Sequence, residues 1–107
     1  MKFQTTPAFD RDFKHLPRQH QRKFREVVPA FNAAAERAAA GVDNPWPKGM
    51  RVKPVKSAEG IWELTWSMND PDGRATWEWA EVYGEPAIRW RRVGDHSVLD
   101  KTRSESR

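Results

Sequence analysis

The chain has 107 residues and no cysteine, and its 19 Lys and Arg against 15 Asp and Glu give a formal net charge of +4. This length suits one domain that buries about two thirds of its unfolded surface. The lack of cysteine excludes disulfides, thiolate metal sites and a cysteine nucleophile, and it favours the cytoplasm. The opening residues have no signal-peptide pattern, and no run of about 18 apolar residues occurs, so we expect no membrane association.

Positive charge is clustered along the chain. Residues 48–56 hold four basic and no acidic side chains, and residues 86–107 hold six basic against three acidic ones. Residues 57–85 hold one basic and seven acidic side chains. Because binding to a phosphate backbone requires clustered cations, this distribution fits a polyanionic partner.

The first 40 residues predict a short strand and two helices. Residues 2–5 fit a strand with Phe3 facing inward. Pro7 suits the first position of a helix, and Pro17 stops that helix. Residues 18–40 carry one apolar stripe at helical spacing, which predicts a long helix. The two helices should form a hairpin whose aromatic side chains cover one face of a sheet.

Residues 41–49 contain two prolines and two glycines, which is typical of a loop. Within it we expect Trp46 to plug the edge of the core rather than to form a stacking platform. Residues 50–56 alternate as a strand does, and Pro54 restricts that strand to a sheet edge.

Residues 61–94 alternate large apolar and polar side chains in three blocks, IWELTWSM, RATWEWAEV and PAIRWRRV. This pattern predicts an antiparallel meander with one buried and one solvent-facing side. The buried side should carry Trp62, Leu64, Trp66, Trp77, Trp79, Ile88 and Trp90. The solvent-facing side should carry Glu63, Thr65, Arg74, Thr76, Glu78, Arg89 and Arg91.

The predicted fold class is therefore α+β, with an N-terminal helical hairpin packed on one face of a small antiparallel sheet. We expect a single domain over residues 1–99. Residues 100–107 are polar and aperiodic, which predicts a disordered tail.

Four segments carry a family resemblance: FDRDFKHLP, RVKPVKSAEGIWELTW, the following strand with Arg74, and the terminal RVGDH. Their order and spacing over residues 3–99 resemble the RelE/ParE superfamily of bacterial type II toxins, in its RelE and HigB branch. The resemblance implies a cognate antitoxin that wraps the toxin and, for many members, mRNA cleavage on the ribosome. The ParE branch has the same fold and instead poisons DNA gyrase. Family nucleases often have a tyrosine after the histidine region, where this chain has Leu99.

RNA cleavage through the ribose 2′-hydroxyl needs a base, an acid and cations for the phosphorane charge. The candidate catalytic residues are Glu63 as base, His96 as acid or base, and Arg74 and Arg91 as charge stabilisers. The alternative for the glutamate and arginines is ordinary cross-strand ion pairing, and for the histidine a solvated turn. No carboxylates or histidines have metal-ligand spacing, so we expect no metal and no other cofactor.

The candidate RNA-binding residues lie in the two basic clusters, and solubility is the alternative explanation for them. They are Arg51, Lys53, Lys56, Arg89 and Arg92, of which Arg92 should lie at the rim of the opposite face. The leading hypothesis is a toxin that is a ribosome-dependent, metal-independent mRNA endoribonuclease, with the ribosome, mRNA and an antitoxin as partners. The alternatives are a non-enzymatic ParE-like inhibitor or binding module, and an inactive toxin-like protein.

Overall fold

The computed structural model describes residues 1–66 and 73–95. In chain order the elements are β1 (Lys2–Thr5), α1 (Pro7–His15), α2 (Arg18–Ala39), β2 (Arg51–Pro54), β3 (Trp62–Trp66), β4 (Gly73–Val82) and β5 (Glu85–Gly94). The strands form one sheet in the order β1-β5-β4-β3-β2, so β2 lies at an edge as its proline predicted. The α+β class is confirmed. The sheet is mixed rather than purely antiparallel, because β1 pairs with β5 in parallel.

The start of α1 is tied to the sheet by its N-cap. The Thr6 hydroxyl accepts a hydrogen bond from the Phe9 amide at 3.1 Å, and Pro7 occupies the first helical turn. The same hydroxyl donates to the Arg91 carbonyl at 2.7 Å, and the Thr6 amide donates to the Trp90 carbonyl at 3.0 Å. One threonine therefore both begins the helix and holds it against β5.

Helix α2 runs without interruption from Arg18 to Ala39, with Pro29 inside it. The Gln21 side-chain amide donates to the Phe13 and Leu16 carbonyls at 2.9 and 3.1 Å, which closes the turn between the two helices. Beyond the helix, Gly41 has φ +86°, a left-handed conformation that glycine adopts without steric cost. The predicted helical hairpin is thus confirmed.

The core is organised by a row of tryptophans that crosses three strands. Trp62 on β3 lies opposite Trp77 on β4, which lies opposite Trp90 on β5. The ring of Phe31 on α2 packs on this row, with centroids 5.2 Å from Trp77 and 4.9 Å from Trp90. Trp46 stacks on Phe31 at 5.3 Å, so it plugs the core edge as predicted.

The predicted core side of the sheet is observed with two half-buried members. Trp66, Trp77 and Trp90 are buried, whereas Trp62 and Trp79 are each half-buried. We call this side of the sheet the helix side, because the phenylalanines of α1 and α2 pack against it.

Phe3 does not face inward as predicted, because its side chain is 61 % exposed. It pairs with Ile88 by register and so shares the helix side, but it lines an open groove beside Phe9 and Phe24. Strand β1 is an outer strand of the sheet, and the helical hairpin leaves this side chain uncovered.

The opposite side of the sheet is not uniformly exposed to solvent, which corrects a second prediction. Glu63, Thr65 and Thr76 are all buried there. The domain limits expected at 1–99 and the tail expected at 100–107 extend beyond the described residues and stay predictions. Within residues 1–66 and 73–95, no helix is long and apolar enough to span a bilayer.

Truncation of the aromatic ring that packs on the tryptophan row should strongly destabilise the fold. Phe31 is fully buried and Phe3 is 61 % exposed, so Phe31→Ala and Phe3→Ala make the same chemical change in opposite environments. We expect Phe31→Ala to lower the free energy of unfolding by about 3 to 5 kcal/mol, and Phe3→Ala by less than about 1 kcal/mol. Urea denaturation measures both, and equal losses would contradict this description of the core.

Candidate functional site

The candidate site lies on the sheet face that is turned away from the helices, which we call the charged face. Residues directly opposite on paired strands share a face, and Glu63 lies opposite Lys53 on β2 and Thr76 on β4. Arg89 lies opposite Glu78 by the same rule. The charged face therefore carries Lys53, Glu63, Arg74, Glu78, Arg89 and Arg91.

Thr76 lies at the centre of this face and is fully buried. Glu63 is directly across from it, and Arg74 and Glu78 are two residues to either side along β4. Diagonal neighbours in an antiparallel sheet are about 7 to 8 Å apart, within reach of long side chains. The sheet register thus groups Glu63 and Arg74, two of the predicted catalytic residues.

Arg91 lies on the same face as Arg89 by alternation, and it lies at a β-bulge in β5. Thr76 pairs with Arg92 and Trp77 pairs with Trp90, which leaves Arg91 as the extra residue. A bulge re-aims side chains locally. The Arg91 Nη1 atom lies 3.4 Å from the Glu78 Oε2 atom, so this guanidinium points over the charged face.

Glu78 joins two arginines on this face. Its Oε2 atom is 3.7 Å from Arg89 Nη1 as well as 3.4 Å from Arg91 Nη1. Arg89 also donates to the Gln4 side-chain oxygen from Nε at 3.2 Å and from Nη2 at 3.1 Å. Since one carboxylate faces two guanidinium groups, this cluster keeps an excess of positive charge.

Two arginines of the charged face have a buried donor without an acceptor. Arg74 donates from Nη1 to the Thr65 hydroxyl, but its Nε atom is buried and has no hydrogen-bond partner within residues 1–66 and 73–95. The Nε atom of Arg91 is buried and unpaired in the same way. An unsatisfied buried donor costs about 1 to 3 kcal/mol. Each N–H group would be satisfied if it donated to an oxygen of a bound anion.

Glu63 has a more enclosed position than the sequence predicted. The residue is 5 % exposed, and Lys53 Nζ lies 3.8 Å from its Oε1 atom. The lysine side chain is itself 68 % exposed at the sheet edge. The carboxylate is thus held by an edge cation rather than presented directly to solvent, which limits its access to a substrate hydroxyl.

The remaining basic candidates separate into an exposed group and an internal one. Arg51, Lys53 and Lys56 are exposed on β2 and just after it, and Arg51 lies opposite Thr65 on the charged face. Arg92 instead forms a bidentate ion pair with Asp12 on α1. His96 lies outside the described residues.

The pair between Arg92 and Asp12 joins α1 to β5. Arg92 Nε and Nη2 lie 2.6 and 2.9 Å from the two Asp12 carboxylate oxygens, and the Val93 amide also donates to Asp12 at 3.2 Å. The Arg92 side chain is only 14 % exposed. The structure therefore does not bring Arg92 together with the other basic candidates, and it gives this arginine a role in packing.

Sequence reasoning missed three side chains that orient arginines. Gln4 positions Arg89, Thr65 positions Arg74 and Asp12 positions Arg92. Strand alternation already placed Thr65 and Arg74 on the same face, so the contact between them could have been predicted from the sequence. Gln4 and Asp12 required the pairing of β1 with β5 and the docking of α1, neither of which local periodicity predicts.

No group of three or more His, Asp and Glu side chains within residues 1–66 and 73–95 is placed to hold a metal ion. The charged face presents arginine and lysine donors around the carboxylates of Glu63 and Glu78.

A helical hairpin on one side of a five-stranded mixed sheet is consistent with a RelE/ParE-like toxin fold. A solved structure of a YoeB/ParE toxin from Agrobacterium tumefaciens is similar, with a TM-score of 0.50 and 18 % sequence identity. The match covers 90 % of this chain and 99 % of that chain. No family model matches this sequence, and no curated protein matches it. The resemblance expected from the sequence is thus confirmed as a likeness of fold.

We expect the bidentate pair on α1 to contribute to stability. A double-mutant cycle of Arg92→Ala and Asp12→Ala should give a coupling energy of about 1.5 to 3 kcal/mol, because both side chains are largely shielded from water. The exposed pair Lys23 and Glu26, 3.9 Å apart on α2, is the control and should couple by less than about 0.5 kcal/mol. A coupling as small as the control would show that Arg92 is available for another role.

Proposed function

We propose that this chain is the toxin of a type II toxin–antitoxin pair and acts in the cytoplasm as a ribosome-dependent, metal-independent mRNA endoribonuclease. A cognate antitoxin is its expected protein partner. The observation that carries the proposal is the pair of buried, unpaired Nε donors of Arg74 and Arg91 on one face. The likeness of fold to a YoeB/ParE toxin is consistent with it.

The charged face has the properties that a phosphate backbone requires. Its arginines present planar donors that match phosphate oxygens, and two of these donors lack a partner among the described residues. Exposed Arg51 and Lys53 extend the positive surface to the β2 edge. An RNA strand lying along this face would supply acceptors for the unpaired N–H groups while it releases counterions.

In the proposed reaction the ribose 2′-hydroxyl loses its proton to a base and its oxygen attacks the adjacent phosphorus. The bond to the 5′-oxygen breaks, and that oxygen takes a proton from an acid. We assign Glu63 or His96 to these proton transfers. Arg74 and Arg91 stabilise the negative charge of the phosphorane, since their free donors lie on the same face.

A binding function without cleavage is the second candidate, and a specific observation favours it. Glu63 is 5 % exposed and paired with Lys53, which is a poor arrangement for a base that must meet a substrate hydroxyl. Leu99 also occupies the place where family nucleases often have a tyrosine. In this case the charged face would hold a target without cutting it, as in the ParE branch.

Affinity for ribosomes or RNA should fall steeply with salt. On a plot of log affinity against log salt concentration, Arg51→Ala, Lys53→Ala and Arg91→Ala should each reduce the slope by about 1, because each removes a phosphate contact. Arg22→Ala is the matched control, since Arg22 is exposed on α2, away from this face. Unchanged slopes in the three variants, or an equal change in the control, would count against a phosphate-binding face.

Cleavage is tested with ribosomes programmed with mRNA, by mapping message 5′ ends over time. We expect Glu63→Gln and His96→Gln to slow cutting by about 10² to 10⁴ while ribosome binding is kept. Arg74→Ala should lower the rate by about 10² to 10³. Glu26→Gln, at an exposed glutamate on α2, should leave it unchanged. Tight binding of the parent protein to ribosomes with an intact message would remove the nuclease proposal and support the binding one.

A further inference from the structure

A concave surface lies on the helix side of the sheet, opposite the charged face. It is a cleft of about 670 Å³ between the last turn of α2, the loop that follows, and the hairpin of β4 and β5. Three half-buried indoles line it: Trp46, Trp62 and Trp79. Clefts of this size are in the range of ligand sites.

The three indoles surround one buried tryptophan. The Trp77 ring centroid lies 5.7 Å from that of Trp46, 5.6 Å from that of Trp62 and 5.4 Å from that of Trp79. Because Trp77 supports each ring from the core side, the outer rings are held in place while part of each lines the cleft. Indole faces carry the negative end of the ring quadrupole and attract cations.

The charges around the cleft also favour a cation. Asp43 and Glu81 line it, and neither carboxylate has a hydrogen bond or ion pair with another described residue. Ala38 and Ala39 place the C-terminal turn of α2 there, which is the negative end of the helix dipole. No lysine or arginine is among the described lining residues.

Arg37, near the C-terminal end of α2, is already engaged with the loop. Arg37 lies outside the lining and donates from Nη2 to the Pro45 carbonyl at 2.9 Å. The carboxylates of Asp43 and Glu81 therefore keep their negative charge available at the cleft. The same charges would repel the phosphates of a nucleic acid, so the occupant must differ from that of the charged face.

We propose that this cleft binds an arginine side chain presented by an extended segment of a partner protein. A guanidinium can stack on an indole and at the same time form a bidentate pair with a carboxylate such as Glu81. Val42, 48 % exposed at the rim, and Pro86 offer apolar surface for the residues that flank the arginine. The proposal does not depend on RNA binding or cleavage, because the cleft and the charged face are on opposite sides of the sheet.

The indole N–H signals of ¹⁵N-labelled protein test the proposal directly. The ligand is a capped leucine–arginine–leucine peptide, and the control is the same peptide with neutral, nearly isosteric citrulline in place of arginine. We expect saturable shifts at Trp46, Trp62 and Trp79, with Trp66 unchanged because it lies outside the cleft. The citrulline peptide should bind at least about fivefold more weakly, the ratio expected when a cation–π contact and an ion pair are lost.

Variants of the two exposed carboxylates test the charge argument without a change in the core. The double variant Asp43→Asn, Glu81→Gln should bind the arginine peptide at least about fivefold more weakly than the parent protein does. Glu26→Gln on α2 should leave the affinity unchanged. Equal affinity for the citrulline peptide, no effect of the double variant, or an absence of shifts at millimolar peptide would each overturn the proposal. An RNA oligonucleotide that shifts the same three indoles would also overturn it.

Discussion

The row formed by Trp62, Trp77 and Trp90 is the constraint on which the rest of the structure depends. Each tryptophan lies opposite the next across the sheet, and Phe31 packs over the last two. A slip of one residue in any strand would turn an indole out to the other face and bring a charged neighbour into the core. The large apolar area of these rings therefore selects one register for three strands at once.

The charged face is a consequence of that register. Once the tryptophans lie on the helix side, the residues between them must lie on the other side, and Glu63, Arg74 and Glu78 are brought around Thr76. At the β5 bulge, Arg91 contacts Glu78 on the charged face, whereas Arg92 binds Asp12 on α1. Two neighbouring arginines of one strand thus have different roles: Arg91 lies on the charged face, and Arg92 binds helix α1.

Period-two alternation was sufficient to predict the helix side of β3, of β4 and of β5 as far as Trp90, because side-chain direction in a strand is a local property. It could not predict the burial of Glu63, because local alternation does not show that β3 lies between β2 and β4 in the sheet. It also could not predict that Phe3 stays exposed, since this depends on where the helical hairpin ends over an outer strand.

The bulge shows a further limit of local pattern. Strict alternation after Trp90 would place Val93 on the charged face. Val93 is instead buried in the core, because the extra residue of the bulge shifts the alternation by one position and turns Val93 to the helix side. The partner of Arg92 is 80 residues away in sequence, so its role required the docked helix. Candidate arginines could be identified from composition and parity, but their separation into surface and structural members could not.

The central claim is that the free Nε donors of Arg74 and Arg91 bind phosphate. Their Nε–H signals in protein labelled at arginine, followed during titration with a short RNA oligonucleotide, test it most directly. We expect saturable chemical-shift changes of the Arg74 and Arg91 Nε–H signals. These changes should disappear as the salt concentration is raised, and the Arg92 signal should not change. Arg74 and Arg91 signals that stay unchanged while the RNA binds elsewhere would contradict the assignment of the charged face.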